Sequence, residues 1–158
     1  FAHKPVLPAI EVAGSVEEFG YGWLHITLRT LLPHCRYQTP GWMSDTIRRL
    51  LDGYKACGKD LPFYSHALLV IDEHTSIEGR HIYDQDNKGW KAVSNAIKGR
   101  IIPDDDQHTL AVTLLSTRAK GEECCHITLL PLEDAHDFFA AHSSDYASRD
   151  FYSGQWCG

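Results

Sequence analysis

The chain has 158 residues, the size of one ordinary domain, and is long enough to bury a core without disulfide support. Hydrophobic residues make up 43% and charged residues 23%, proportions that exclude a wholly disordered chain and a fibrous repeat. The net charge of −6 at first argues against a polyanionic partner, but the charge is unevenly distributed: twelve Lys or Arg stand against eleven Asp or Glu through Arg100, and three against ten from Ile101 onward.

No apolar run approaches the roughly 18 residues of a membrane-spanning helix, and the first residues lack a signal-peptide pattern, so we expect a cytoplasmic protein that does not contact a membrane. Five cysteines, an odd number without CxxC spacing, predict reduced thiols and no disulfide framework. Ten histidines are many for this length, but none forms an HExxH or HxxxH pair, so a zinc site is not expected.

The N-terminal half alternates between extended and helical patterns. Residues 1–20 mix prolines, glycines and acids without a period, which predicts an extended lead-in. Apolar and polar residues alternate over 21–32, which predicts a half-buried strand whose polar side chains include His25, Thr27 and Arg29. Segment 39–57 predicts a helix that ends near Gly58, because helical spacing separates its apolar residues Ile47, Leu50, Leu51 and Tyr54.

The middle of the chain predicts a buried strand followed by a second helix. The short apolar run from Ala67 to Ile71 is typical of a central strand covered on both faces, with a loop or ragged extension over 73–84. The helix would have Asp86 or Asn87 as its N-cap and Gly99 just after its end. Its polar face would carry Lys88, Lys91, Asn95 and Lys98.

Two further strands are predicted over 108–115 and 124–130, paired as a hairpin through a charged, glycine-containing turn. Residues 133–142 can add a short helix, and the aromatic residues of 143–158 indicate that this tail docks on the domain: Tyr146, Phe151, Tyr152 and Trp156. The whole order predicts a single α+β domain with a mixed four-stranded sheet and two main helices.

Acidic residues lie on both sides of the second helix. Side chains two positions apart in an extended segment point the same way, so Asp84 and Asp86 can face one site. Asp104 or Asp105 would reach that site if the helix folds back along the sheet, and Lys91 would reach phosphate or developing charge. Carboxylates that hold magnesium at a phosphodiester are suited to its hydrolysis.

Two other interpretations of these aspartates stay open. Aspartates are common in turns and at helix N-caps, and the triple-Asp loop of residues 104–106 is compatible with simple solvation. An EF-hand loop starting at Asp84 fits the first, third and sixth positions, but Lys88 stands at the fifth and Asn95 at the twelfth, where a bidentate glutamate is required.

The run Asp84-Gln85-Asp86-Asn87, followed by Lys91-Ala92-Val93, Asn95-Ala96-Ile97, Gly99, Asp104-Asp105 and Gln107, resembles the RusA-type Holliday-junction resolvases. The resemblance covers roughly residues 23–130 and agrees with the predicted element order, although Lys91 stands one residue later than the lysine of the family pattern. It implies a RusA-like nuclease domain over 21–132, between an N-terminal extension (1–20) and a C-terminal helix and tail (133–158).

By this resemblance Asp84, Asp86 and Asp105 would be catalytic carboxylates that bind Mg²⁺, with Mn²⁺ as a substitute and Asp104 beside them. Lys91 would be the catalytic or DNA-contacting lysine. The family is homodimeric, which suits symmetrical cutting of a four-way junction. The resemblance therefore implies a homodimer acting on branched DNA in recombination and repair.

A basic stripe accompanies the carboxylates and would contact DNA phosphates without reading sequence: Arg80, Lys88, Lys91, Lys98 and Arg100. A solvated helix face is the competing interpretation. We therefore expect a magnesium-dependent endonuclease that uses direct attack of an activated water. The alternatives are a non-catalytic DNA-binding or assembly module with the same fold, and a metal-dependent nuclease acting on RNA or duplex DNA.

Overall fold

The computed structural model describes residues 12–20, 22–32, 41–75, 89–118, 123–144 and 151–153. The α+β class and the mixed sheet are confirmed. In chain order the elements are β1 (Gly14–Phe19), β2 (Trp23–Leu28), α1 (Gly41–Ala56), β3 (Ala67–Thr75), α2 (Lys91–Ile97), β4 (Leu110–Arg118), β5 (Cys124–Pro131) and α3 (Ala135–Ser144), with 3₁₀ turns at Leu132–Asp134 and Phe151–Ser153.

Within the described residues the sheet has five strands in the order β1-β2-β5-β3-β4, so the predicted count of four is wrong. The additional strand is β1, which forms within the segment expected to be an extended lead-in and pairs antiparallel with β2. A Cβ at Gly14 would lie only 2.6 Å from the carbonyl oxygen of Thr27 on β2. This close approach explains why glycine begins the strand, although composition alone suggested a loop.

The predicted hairpin between β4 and β5 is also wrong. β3 lies between them, parallel to β4 and antiparallel to β5, so that Leu69 has Val112 on one side and Leu129 on the other. Alternating apolar residues specify which face of a strand is buried but not which strand is its neighbour. The apolar run of β3 takes the inner position because both of its faces are covered.

The helix predicted over 39–57 is confirmed as α1, which buries Met43, Ile47 and Leu51 at helical spacing. Gly58 follows it with a φ of +84°, a conformation that favours glycine. The second helix begins at Lys91 and not after an N-cap at Asp86 or Asn87. Trp90 is the N-cap residue of this helix, and Gly89, a poor helix former, stands just before it.

Each face of the sheet carries its own core. On the first face, α1 and α2 pack against apolar strand residues such as Ile26, Leu69 and Ile127. The second face is covered by Phe138 of α3 and by Phe151 and Tyr152, which confirms the docking of the tail at these two residues, while Tyr146 and Trp156 lie outside the described residues. Consequently His25 and Thr27, expected on an exposed strand face, are buried. No helix within the described ranges has the length and apolar character needed to cross a membrane.

Candidate functional site

Two of the predicted carboxylates and two of the predicted lysines meet beside α2. The ammonium of Lys91 lies 3.0 Å from Asp105 Oδ2, and that of Lys98 lies 3.3 Å from Asp104 Oδ1 and 3.7 Å from Asp105 Oδ1. We call these four residues the aspartate–lysine cluster. It brings α2 and the segment before β4 together.

The Asp105 side chain is largely enclosed, with 12% of its surface exposed, whereas the Lys91 side chain is 55% exposed. The hydrogen bond from Lys91 outweighs the effect of desolvation and holds the pKa of Asp105 below its ordinary value. The hydrogen bond to Asp104, aided by the charge of both aspartates, raises the pKa of Lys98. Asp105 and Lys98 are therefore both charged at neutral pH.

The remaining aspartate of the loop has a local structural role. Asp106 Oδ1 accepts hydrogen bonds from the His108 backbone N–H at 2.8 Å and from Thr109 Oγ1 at 2.9 Å. These bonds close the turn that leads into β4, which agrees with the turn interpretation for this one residue. Arg100 hydrogen-bonds the Asp52 carboxylate of α1, so in this state its charge is directed toward a neighbouring helix.

The other half of the predicted site lies outside the described residues: Asp84, Asp86, Arg80 and Lys88, together with Asn87. Of the predicted metal ligands, the described residues therefore include Asp104 and Asp105, which are adjacent in the sequence. Their oxygen donors fit magnesium, which prefers carboxylate and water ligands, and the half-exposed Asp104 side chain is open to solvent.

A second group of chemically active side chains, which the sequence reasoning missed, lies between the sheet and the C-terminal segment. We call it the buried histidine cluster; it comprises His25, Asp72, His74, Cys124, His126, His142 and Tyr152. Five of its members come from alternate positions on β2, β3 and β5, and α3 and the 151–153 turn supply the other two. The two-residue period of a strand directs all five to the second face.

Asp72 is fully buried at the centre of this cluster and accepts several hydrogen bonds. The donors are Tyr152 Oη at 2.8 Å, Thr117 Oγ1 at 2.9 Å and His142 Nε2 at 3.1 Å, with His74 Nε2 at 3.4 Å. Desolvation alone would raise the pKa of Asp72, but the hydrogen bonds from His142, His74 and Tyr152 hold it well below its ordinary value. The carboxylate is therefore ionised despite its burial.

His126 lies next to the Cys124 thiol and to side chains that surround Asp72. Its Nε2 lies 3.4 Å from Cys124 Sγ and its Nδ1 lies 2.9 Å from His25 Nε2, while the Tyr152 ring stacks on it with centroids 4.1 Å apart. Burial, together with the charges of His25 and His74, lowers the pKa of His126 to about 3. The imidazole is therefore neutral at neutral pH.

One donor atom from each of His74, Cys124 and His126 lies within 4.8 Å of the other two. The signal in the sequence was the pair of short patterns Asp72-x-His74 and Cys124-x-His126, which place two polar side chains on one face of a strand. A zinc site was not expected because only the helical spacings HExxH and HxxxH were considered. Pairs of metal ligands on two neighbouring strands were not considered. Recognising the cluster also required knowing that β3 and β5 are neighbours, with His74 opposite Cys124.

No protein-family model matches this chain, and no curated protein matches it. The likeness to RusA-type resolvases therefore depends on the motif residues quoted above, from Asp84 to Gln107. The aspartate–lysine cluster and the buried histidine cluster are interpreted from the geometry of their own side chains.

Proposed function

We propose that this chain is a magnesium-dependent endonuclease that hydrolyses phosphodiesters in branched DNA. The observation that carries the proposal is the Asp105 carboxylate, largely enclosed and flanked by Lys91 and Lys98 on the helix that follows the Asp84-x-Asp86 segment. A carboxylate between two cations, beside a helix preceded by two more carboxylates, suits a centre that handles a phosphate anion.

Chain connectivity supports a single centre. Five residues lead from Asp86 to Lys91, and a fully extended segment of that length spans at most about 18 Å. The Lys91 ammonium lies 3.0 Å from Asp105, so this chain length allows Asp86 to reach the same carboxylate. Asp84, Asp86, Asp104 and Asp105 would together hold Mg²⁺ or Mn²⁺. The bound ion would acidify a water and offset the charge of the phosphate.

The chain's own residues would orient the substrate. In the described state Lys91 and Lys98 pair with the two oxygens of Asp105. On metal binding they would release these oxygens, and their exposed ammonium groups would offer positive charge to phosphate oxygens. Lys88, Arg80 and Arg100 would contact backbone phosphates farther out, and Arg100 would release Asp52 to do so. A homodimer with paired sites would cut both strands of a four-way junction.

The test compares Asp105→Asn and Asp86→Asn with Asp45→Asn on a synthetic four-way junction in the presence of Mg²⁺. Asp45 is an exposed α1 residue that pairs with Arg48, so it is a matched surface control. We expect each site variant to cleave at least about 100-fold more slowly, because several kcal/mol of charge stabilisation is lost. The control should stay within about twofold of wild type. Unchanged cleavage by Asp105→Asn would overturn the assignment.

The choice of substrate separates the proposal from its alternatives. A junction, a linear duplex, a single strand and an RNA of matched sequence are incubated with and without Mg²⁺. Preferential cutting of the junction supports the proposal. Equal binding of the junction in both conditions without any nicking favours a non-catalytic DNA-binding or assembly module, and cutting of duplex or RNA without junction preference favours a different nuclease.

A further inference from the structure

We propose that His74, Cys124 and His126 bind one late first-row divalent transition-metal ion, with Zn²⁺ the best fit. The site lies on the second face of the sheet, whereas α2 and the aspartate–lysine cluster belong to the first face. It is argued independently of the proposed nuclease activity.

The three side chains come from two paired strands. Cys124 and His126 stand two positions apart on β5, and His74 lies directly opposite Cys124 on β3. Zn–N bonds of about 2.0–2.1 Å and a Zn–S bond of about 2.3 Å, in a tetrahedron, require donor atoms roughly 3.4–3.6 Å apart. Cys124 Sγ and His126 Nε2 already lie 3.4 Å apart, and all three donor atoms lie within 4.8 Å of one another. Small side-chain rotations on a fixed backbone would complete the geometry.

In both His126 and His74, the ring nitrogen that would not bind the metal contacts another polar side chain, which orients the ring. Nδ1 of His126 lies 2.9 Å from Nε2 of His25, and Nε2 of His74 lies 3.4 Å from the Asp72 carboxylate. Histidines that bind metal usually use one ring nitrogen for the ion while the other contacts a carboxylate or a further polar group, which fixes the ring. The ion would therefore bind Nε2 of His126 and Nδ1 of His74.

The C-terminal segment holds this arrangement in place. Tyr152 stacks on the ring of His126 and donates a hydrogen bond to Asp72, the residue that contacts His74. One tyrosine thus supports both histidines of the proposed site. Such support would limit the movement of the ligands in the absence of metal.

The donor set selects the class of ion. A thiolate and two imidazoles suit Zn²⁺ and its neighbours, while Mg²⁺ prefers oxygen ligands. Binding would remove the Cys124 thiol proton, which is released to solvent as the S–metal bond forms. Three protein ligands leave the fourth position of the tetrahedron for water or another ligand.

The experiment titrates Co²⁺ into the full-length chain, prepared without a histidine tag and stripped of metal, and then displaces it with Zn²⁺. We expect one equivalent per chain, visible ligand-field bands typical of a tetrahedral site, and a near-ultraviolet thiolate-to-cobalt charge-transfer band that Zn²⁺ abolishes. Elemental analysis of the Zn²⁺-loaded protein after dialysis should give about one zinc per chain. A zinc content below about 0.1 per chain, or a cobalt spectrum without the thiolate band, would overturn the proposal.

The neighbouring cysteine supplies the matched control. Cys124 and Cys125 are both buried on β5, but Cys125 faces the first core, on the opposite side of the sheet. We expect Cys124→Ala to lose the thiolate band and bind Zn²⁺ at least about 100-fold more weakly, whereas Cys125→Ala keeps both properties. Equal binding by the two variants would overturn the proposal and leave the cluster as a buried polar network that fixes the C-terminal segment.

Two further measurements keep the outcome interpretable. If circular dichroism shows that Cys124→Ala does not fold, the cobalt spectrum of the wild type decides alone. Zinc content is also measured for Asp105→Asn, which should remain at about one per chain because this residue contributes to the other cluster. The failure of the nuclease proposal and the failure of the zinc proposal are therefore observed separately.

Discussion

At the scale of single residues, the Asp72 carboxylate is fully buried and is stabilised only by the groups that contact it. Tyr152 is the donor nearest to it, at 2.8 Å. We expect Tyr152→Phe to lower the free energy of unfolding by about 1.5–3 kcal/mol, because hydrogen bonds to charged groups contribute about that much. Urea unfolding in the presence of a chelator measures this effect without a contribution from bound metal.

Tyr54 provides the control for this prediction, because it is half-buried on α1 and lies away from Asp72. Tyr54→Phe should change the free energy of unfolding by less than about 0.5 kcal/mol. If both substitutions cost the same, the Tyr152 hydroxyl does not stabilise the buried carboxylate, and the charge is held by His142, His74 and Thr117.

These residues also mark the limit of the sequence-based prediction. Aromatic composition predicted that the tail docks, and Phe151 and Tyr152 are buried as expected. It could not predict that Tyr152 would meet Asp72, because the two residues lie 80 positions apart and the contact depends on how the tail crosses the sheet. Polar residues at alternate strand positions indicate a solvated face unless another element covers them, so His25 was wrongly expected to be exposed.

At the scale of elements, α3 packs on the sheet mainly through Phe138, and its His142 adds a hydrogen bond to Asp72. Phe138 is fully buried and its ring packs against Trp23 and Phe151, while its neighbour Phe139 is only partly buried. We expect Phe138→Ala to lower the free energy of unfolding by about 3–5 kcal/mol, the usual cost of the cavity left by a core phenylalanine. Urea titration followed by circular dichroism measures the change.

Substitution of the neighbouring residue Phe139 tests whether the loss of stability comes from the face of α3 that packs on the sheet. Phe139→Ala should cost less than about 2 kcal/mol, because less apolar surface is returned to water. An equal loss for both variants would mean that Phe138 and Phe139 contribute equally to the packing of α3, and that the stability does not come mainly from the Phe138 face.

Elements with a strong internal period were predicted more successfully than the pairing between them. The helix α1 follows from apolar residues at helical spacing and from Gly58, both of which act locally. The pairing of β4 with β3, and not with β5, depends on how well each strand edge is covered, which no local pattern encodes. The His74–Cys124 contact was missed for the same reason.

At the scale of the whole molecule, charge decides how the chain would meet DNA. The net charge of −6 opposes a polyanion, so binding would depend on a local basic patch beside the carboxylates. If Arg80, Lys88, Lys91, Lys98 and Arg100 each neutralise one phosphate, affinity for a four-way junction should fall by about 100- to 1000-fold between 50 and 200 mM salt at constant Mg²⁺. A fluorescence-anisotropy titration series gives the slope of log affinity against log salt.

A pair of lysine variants identifies the patch responsible for that slope. Lys98→Ala removes an exposed ammonium beside Asp104, and we expect the slope to decrease by about one while binding weakens across all sequences. Lys55→Ala removes a comparable exposed charge from the last turn of α1 and should leave the slope unchanged. Equal slopes for the two variants would mean that DNA is bound by general surface charge, and the aspartate–lysine cluster would then have no special part in placing a phosphate.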